Sequence, residues 1–130
     1  MPISFDYNMD ENFIYERGCG TITLGEVLEY RKQLRALPLR SGIRYLSDFR
    51  TGLLEFSYED MQVNVADSKH TVMGLTDVMI AGVAPGELTY GMARMFETIA
   101  GEDSFSVEVF RTLPEALAWL GIDKRLVPDL

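Results

Sequence analysis

Apolar and polar residues alternate from the start of the chain: Ile3, Phe5 and Tyr7 interleave with Ser4, Asp6 and Asn8. That period of two predicts a strand with one buried face. Met9 to Asn12 reads as a turn and Phe13 to Thr21 as a returning strand, so a hairpin is expected. Gly18 and Gly20 mark a bulge or a close backbone approach, and Cys19 between them reads as packed rather than reactive. The period then lengthens. Thr23 and Glu26 form a capping box, and Leu24, Val27, Leu28, Arg31 and Leu34 line one face of a helix that stops before Pro38. Arg31 alone breaks this stripe, and its long stem predicts a head group that snorkels outward.

Ile43 to Phe49 predicts a third strand, left through the loop Asp48–Gly52. Ser57 caps a second helix with an acidic first turn, running to about Lys69 on a thin stripe of Tyr58, Met61 and Val65. Val78 to Ala84 is apolar throughout, as in a central strand covered on both faces. Pro85-Gly86 opens a third helix, whose Leu88, Met92, Met95, Phe96 and Ile99 make a wide stripe expected to be buried; Gly101 ends it. Phe105, Val107 and Val109 mark a fifth strand. Thr112 to Glu115 is a third capping box, with Pro114 in the first turn, and Gly121 closes the last helix. The order β-β-α-β-α-β-α-β-α predicts an α/β fold: a mainly parallel five-stranded sheet with right-handed crossovers, an antiparallel edge from the hairpin, and about four helices. Residues 1–121 form one domain and 122–130 a tail, in which Leu126, Val127 and Leu130 are apolar enough to dock.

Composition narrows the function more by exclusion than by signature. Twelve basic against 20 acidic residues leave a net charge of −8, which argues against a nucleic-acid or anionic-membrane surface. One cysteine excludes an internal disulfide and one histidine a His-rich metal site, so no metal and no cofactor is expected. The longest apolar stretch, Val78 to Pro85, falls far short of the ~20 residues that span a bilayer. Met1 to Asp6 has neither a basic region nor a long apolar run, so a cytoplasmic location is expected. Ser57, Asp67 and His70 suggest a triad only on paper. Ser57 and His70 stand at opposite ends of one helix, ~20 Å apart at the rise of an α-helix. No catalytic residue is assigned, and the chain reads as non-enzymatic.

The words Tyr90-Gly91-Met92-Ala93-Arg94-Met95-Phe96-Glu97, Val109-Phe110-Arg111, Leu113-Pro114-Glu115-Ala116-Leu117-Ala118-Trp119-Leu120 and Leu46-Ser47-Asp48-Phe49-Arg50, in this element order, resemble the SpoIIAA-like family, whose members have the STAS fold. The resemblance covers roughly residues 1–121 and implies a small module that works by binding. In STAS domains of the anti-anti-sigma type a serine at the start of the second helix, within an Asp-Ser-Gly-like sequence, is phosphorylated by a partner kinase. Ser57 holds that position here, with Phe56 in place of the aspartate and Tyr58 in place of the glycine. The family is also similar to the CRAL-TRIO lipid-transfer fold, which implies a small apolar or anionic ligand.

In an open parallel sheet, ligands gather beyond the carboxyl ends of the strands. Asp48, Arg50, Ser57 and Gly86 are the candidates there, with helix N-termini offering backbone donors to an anion; alternatively, Asp48 and Arg50 simply pair and Ser57 simply caps its helix. Tyr90 and Arg94 share a helix face away from the apolar stripe, as a surface pairing or as anchors for a partner. Met79, Met92 and Met95 read as adaptable packing, or as the compliant wall of a cavity. Two functions follow: a regulatory module that binds a protein partner or forms a homodimer, and a carrier for a lipid or anionic metabolite.

Overall fold

A computed structural model describes residues 2–128. Strands β1 (Ile3–Asn8) and β2 (Phe13–Ile22) form the expected antiparallel hairpin, turned through Asn12 at φ 52°. Asparagine tolerates that left-handed backbone because its short side chain bonds locally. Helix α1 (Leu24–Arg35), β3 (Arg44–Leu54), α2 (Tyr58–Thr71), β4 (Met79–Val83), α3 (Glu87–Ala100), β5 (Ser106–Phe110) and α4 (Leu113–Leu120) follow, then a single 3₁₀ turn, Lys124–Leu126. Both reciprocal capping boxes, Thr23 with Glu26 and Ser57 with Asp60, are made. At α4 only half of the third forms, since Glu115 reaches the Thr112 hydroxyl rather than its backbone N–H.

The strand order is β1-β2-β3-β4-β5, with every pair after the hairpin parallel. This unbroken progression has a consequence for the helices. Right-handed crossovers that all step the same way lie on the same face. Accordingly α1, α2 and α3 pack with Ile14, Tyr45, Ile80 and Val107 on one face. Helix α4 follows the last strand and covers Phe13, Tyr15, Leu46, Ala81 and Val83 on the other, joined by Val127 of the tail. Leu130 lies outside the described residues. Among the described residues no helix is long and apolar enough to cross a membrane.

Several local expectations are corrected. β3 continues to Leu54, because Cys19–Ile22 of β2 pair with Thr51–Leu54 beyond a bulge between Arg17 and Cys19. Asp48 and Arg50 are therefore within a strand, not in a loop leaving it. The bulge brings the chains close at Gly18 and Gly52, where an added Cβ would fall 2.6 Å from the Phe49 ring and 2.7 Å from the Gly18 carbonyl carbon, respectively. Cys19 itself is exposed rather than packed. Arg31 is buried and turns inward between helices, since α2 supplies acceptors that water would otherwise provide. Tyr58 is exposed, and α2 buries Met61, Asn64, Val65 and Ser68 instead. The apolar stripe of α3 is not close-packed: Ala100 is its one buried residue, Leu88 is 63% exposed, and Met92 and Phe96 are half-buried.

Candidate functional site

The loose stripe of α3 has a cause in the sheet beneath it. On the face turned to α1–α3, register aligns Glu16 of β2, Ser47 of β3, Gly82 of β4 and Val109 of β5 in one row. Small residues occupy its centre, and a Cβ added at Gly82 would meet nothing within 4 Å. Ala93 stands on the facing helix, so no large side chain reaches the middle from either layer. A cavity of about 100 Å³ results. Ile80, Gly82 and Val107 form its floor, Val27 and Leu34 of α1 and Val72 of α2 one wall, and Met92, Ala93 and Phe96 the roof; Phe49 and Leu54 line its β3 side. Its apolar part suits an apolar guest; a closed apolar cavity of roughly 150 Å³ accepts benzene.

Its polar groups gather at the β2–α1 side. Glu16, 5% exposed, accepts a hydrogen bond from the Ser47 hydroxyl. Burial raises its pKa above the usual carboxylate range, against the Ser47 hydrogen bond, the Arg31 charge and the nearby Tyr45 and Tyr30 hydroxyls. Tyr30 and Tyr45 share a hydrogen bond of 2.9 Å. Burial and then the Glu16 charge push both phenols well above their ordinary value, so they act as neutral donors. Arg31 donates through Nη1 to the Asn64 carbonyl (3.1 Å) and Asp67 Oδ2 (3.1 Å), and through Nη2 to Asn64 Oδ1 (2.7 Å). Arg35 reaches Asp67 Oδ1 (3.0 Å) and the Thr71 hydroxyl (3.1 Å). Two guanidinium groups are thus clasped to α2 by one carboxylate, with Glu16 close behind.

None of the six residues singled out in sequence lines this cavity. Asp48 lies on the α4 face, its side chain 1% exposed. Arg50 grips it through Nε (3.0 Å), Nη2 (2.7 Å) and its own backbone N–H (3.0 Å), while the Tyr15 hydroxyl donates at 2.7 Å. Burial raises the Asp48 pKa, but the hydrogen bonds from Arg50 and Tyr15 outweigh it and hold the carboxylate below its ordinary value. The Tyr15 phenol is pushed up to about 12, by burial first and Asp48 second. With both oxygens engaged, this is a closed ion pair with no acceptor turned to a ligand.

Ser57 is exposed and its hydroxyl accepts the Asp60 N–H at 3.1 Å, in the capping role. Gly86 caps α3 with no side-chain bond. Tyr90 does not pair with Arg94: the Arg111 guanidinium lies over its ring at 3.8 Å and bonds Glu87 at 2.9 Å, while Arg94 pairs with Glu97 at 3.2 Å. The strand-end crevice expected for these residues belongs to sheets whose strand order reverses, where neighbouring crossovers part to opposite faces. This sheet has no reversal, and its void lies between the layers.

Glu16, Arg31, Ser47 and Gly82 were missed in sequence. Glu16 is in phase with Ile14 on the buried side of β2, and Arg31 interrupts an apolar stripe; a charge at each core-facing position was the available signal. Among the described residues no three His, Cys, Asp or Glu side chains gather to hold a metal ion. Neither a scan against protein-family models nor a search of curated proteins found a match to this chain.

Proposed function

We propose that this chain is a non-enzymatic binding module that holds a small, mainly apolar ligand in the cavity between the sheet and helices α1–α3. The observation that carries the reading is the open space over Gly82, walled by Ile80, Met92, Phe96 and Val107 in the middle of the fold. Native cores are packed at the density of organic crystals, and a void loses the dispersion contacts of every side chain that lines it. A guest restores those contacts. The roof is suited to variable guests because methionine is unbranched and polarizable.

We further assign the chain to the SpoIIAA-like, STAS-type group. What supports this is the set of sequence words given above together with the element order and the mainly parallel sheet. The similarity of that group to lipid-transfer folds accords with a carrier. A cytoplasmic location belongs to the same proposal.

Native mass spectrometry of protein purified without denaturation tests the function. A small co-purifying mass is expected on the unmodified chain and is lost from Gly82→Val, whose side chain fills the open space. A homodimer without any such mass would favour the protein-partner reading instead. A folded Gly82→Val that keeps the mass would move the site elsewhere.

A further inference from the structure

The polar end of the cavity has an imbalance of charge that bears on what enters it. From β3, Ser47 and Tyr45 face Glu16; from α1, Tyr30 and Arg31. Helix α2 contributes Asn64 and Asp67, both through Arg31, and α3 offers only Thr89, Met92, Ala93 and Phe96 to the void. Asp67 answers both Arg31 and Arg35. The two cations therefore share one carboxylate, and Glu16, which feels the Arg31 charge, can supply a second negative charge to Arg31.

A ligand cation would need Glu16 ionised for itself and would sit near two guanidinium groups. It would leave the cluster with an uncompensated positive charge in a medium of low dielectric, where that is costly. A neutral alcohol gains a hydrogen bond and no charge balance. A ligand carboxylate answers Arg31, the guanidinium that lines the cavity, while a protonated Glu16 donates to it, two carboxyl groups sharing one proton.

We propose that the cavity selects small monocarboxylic acids, with the carboxyl group set against Glu16, Ser47 and Arg31 and the hydrocarbon chain over Gly82 beneath Met92 and Phe96. The inference rests on the carrier reading and names its ligand class. Because Glu16 must keep its proton beside the bound carboxylate, binding weakens as the pH rises and Glu16 ionises.

Titration calorimetry with butyrate, 1-butanol and butylamine, three probes of one short chain length, tests this on the unmodified protein. Butyrate is expected to bind at least about tenfold more tightly than butylamine, with the alcohol between them, and to weaken from mildly acidic to mildly alkaline pH. Glu16→Gln keeps a neutral donor, so its butyrate affinity is expected to stay level across that range. Equal or tighter binding of the amine or the alcohol overturns the proposal, as does the same pH slope in Glu16→Gln. If none of the probes binds while a native co-purifying mass is present, the acid class is wrong and the carrier stands. If neither is seen, both fall.

Discussion

Among the described residues, the two faces of the sheet each bury one carboxyl group, and the two meet opposite fates. Glu16 and Asp48 stand on neighbouring strands one register step apart, since Glu16 pairs with Ser47 and Arg17 with Asp48. Alternation turns Asp48 toward α4, where Arg50 donates to both oxygens and Tyr15 to Oδ2, which keeps it ionised. It turns Glu16 toward α1–α3, where burial outweighs its partners and favours the protonated form. Their surroundings differ in the same sense. The α4 face is closed by Leu46, Ala81, Val83, Ala116 and Leu117. The other face, with three helices to cover it, keeps a void. More cover has not meant tighter packing, because Ser47 and Gly82 are too small to meet a helix held off by its own larger neighbours.

The largest test of that contrast is one truncation made on each face. Leu46 is fully buried on the closed face, and Leu46→Ala is expected to cost about 3–4 kcal/mol, from lost transfer energy plus the new cavity. Ile80 already borders empty space, so Ile80→Ala removes fewer contacts and is expected to cost less than half as much. Urea midpoints at unchanged slope read the difference. Equal costs would mean that the void collapses in solution, and the contrast between the faces would go with it.

The two carboxyls provide the next test, through the sign of their pH dependence. Asp48 has a lowered folded pKa, so its contribution is present above the unfolded value of about 3.9 and is lost as the pH falls through the folded one. Asp48→Ala strands Tyr15 and Arg50. Because Arg50 is 32% exposed and can turn to water, the expected cost near neutrality is about 2–3 kcal/mol, shrinking in acid. Glu16 runs the other way. Its folded pKa is raised, so its contribution is present below the unfolded value of about 4.3 and is lost as the pH rises through the folded one. Glu16→Gln should therefore gain stability relative to the unmodified chain as the pH rises above about 4.3. Thermal melts across pH that moved both variants in the same sense would remove the distinction between the two sites.

How much of this was legible in the sequence depends on how far apart the interacting residues lie. The caps at Thr23 and Ser57 are chemistry within three residues, and both were read correctly. So were the order of strands and helices, whose periods are local, and the pairing of Asp48 with Arg50, two residues apart, but not the extension of β3 to Leu54, which rests on its pairing with Cys19–Ile22 of β2. The polar end of the cavity is made by Arg31 with Asn64, 33 residues on, and by Ser47 with Glu16, 31 residues back. Nothing in the neighbourhood of Arg31 announces acceptors from α2, so a snorkelling arginine was the natural expectation. The stripe of α3 was likewise read as buried because periodicity tells which face turns inward, not whether anything is there to meet it. That information sits in Gly82 and Ser47, on strands whose order had first to be known.

The smallest effect isolates the contrast most closely, because it moves a single methyl group between adjacent residues of β4. Ala81 is fully buried against α4, and Gly82 faces the void. Ala81→Gly gives up a methyl worth about 0.8 kcal/mol and frees the unfolded chain, for a total cost of about 1–1.5 kcal/mol. Gly82→Ala stiffens the unfolded chain at a position without positive φ, and its new Cβ has no neighbour within 4 Å, so in protein refolded from denaturant and freed of any guest it is expected to gain about 0.5–1 kcal/mol. The two changes leave composition the same, so the double variant compares the faces directly: it should be close to neutral while its parents differ in sign. In protein as purified, the guest expected over Gly82 turns that gain into a loss. A loss that persists after refolding, once the guest is gone, would mean a closed structure and no void.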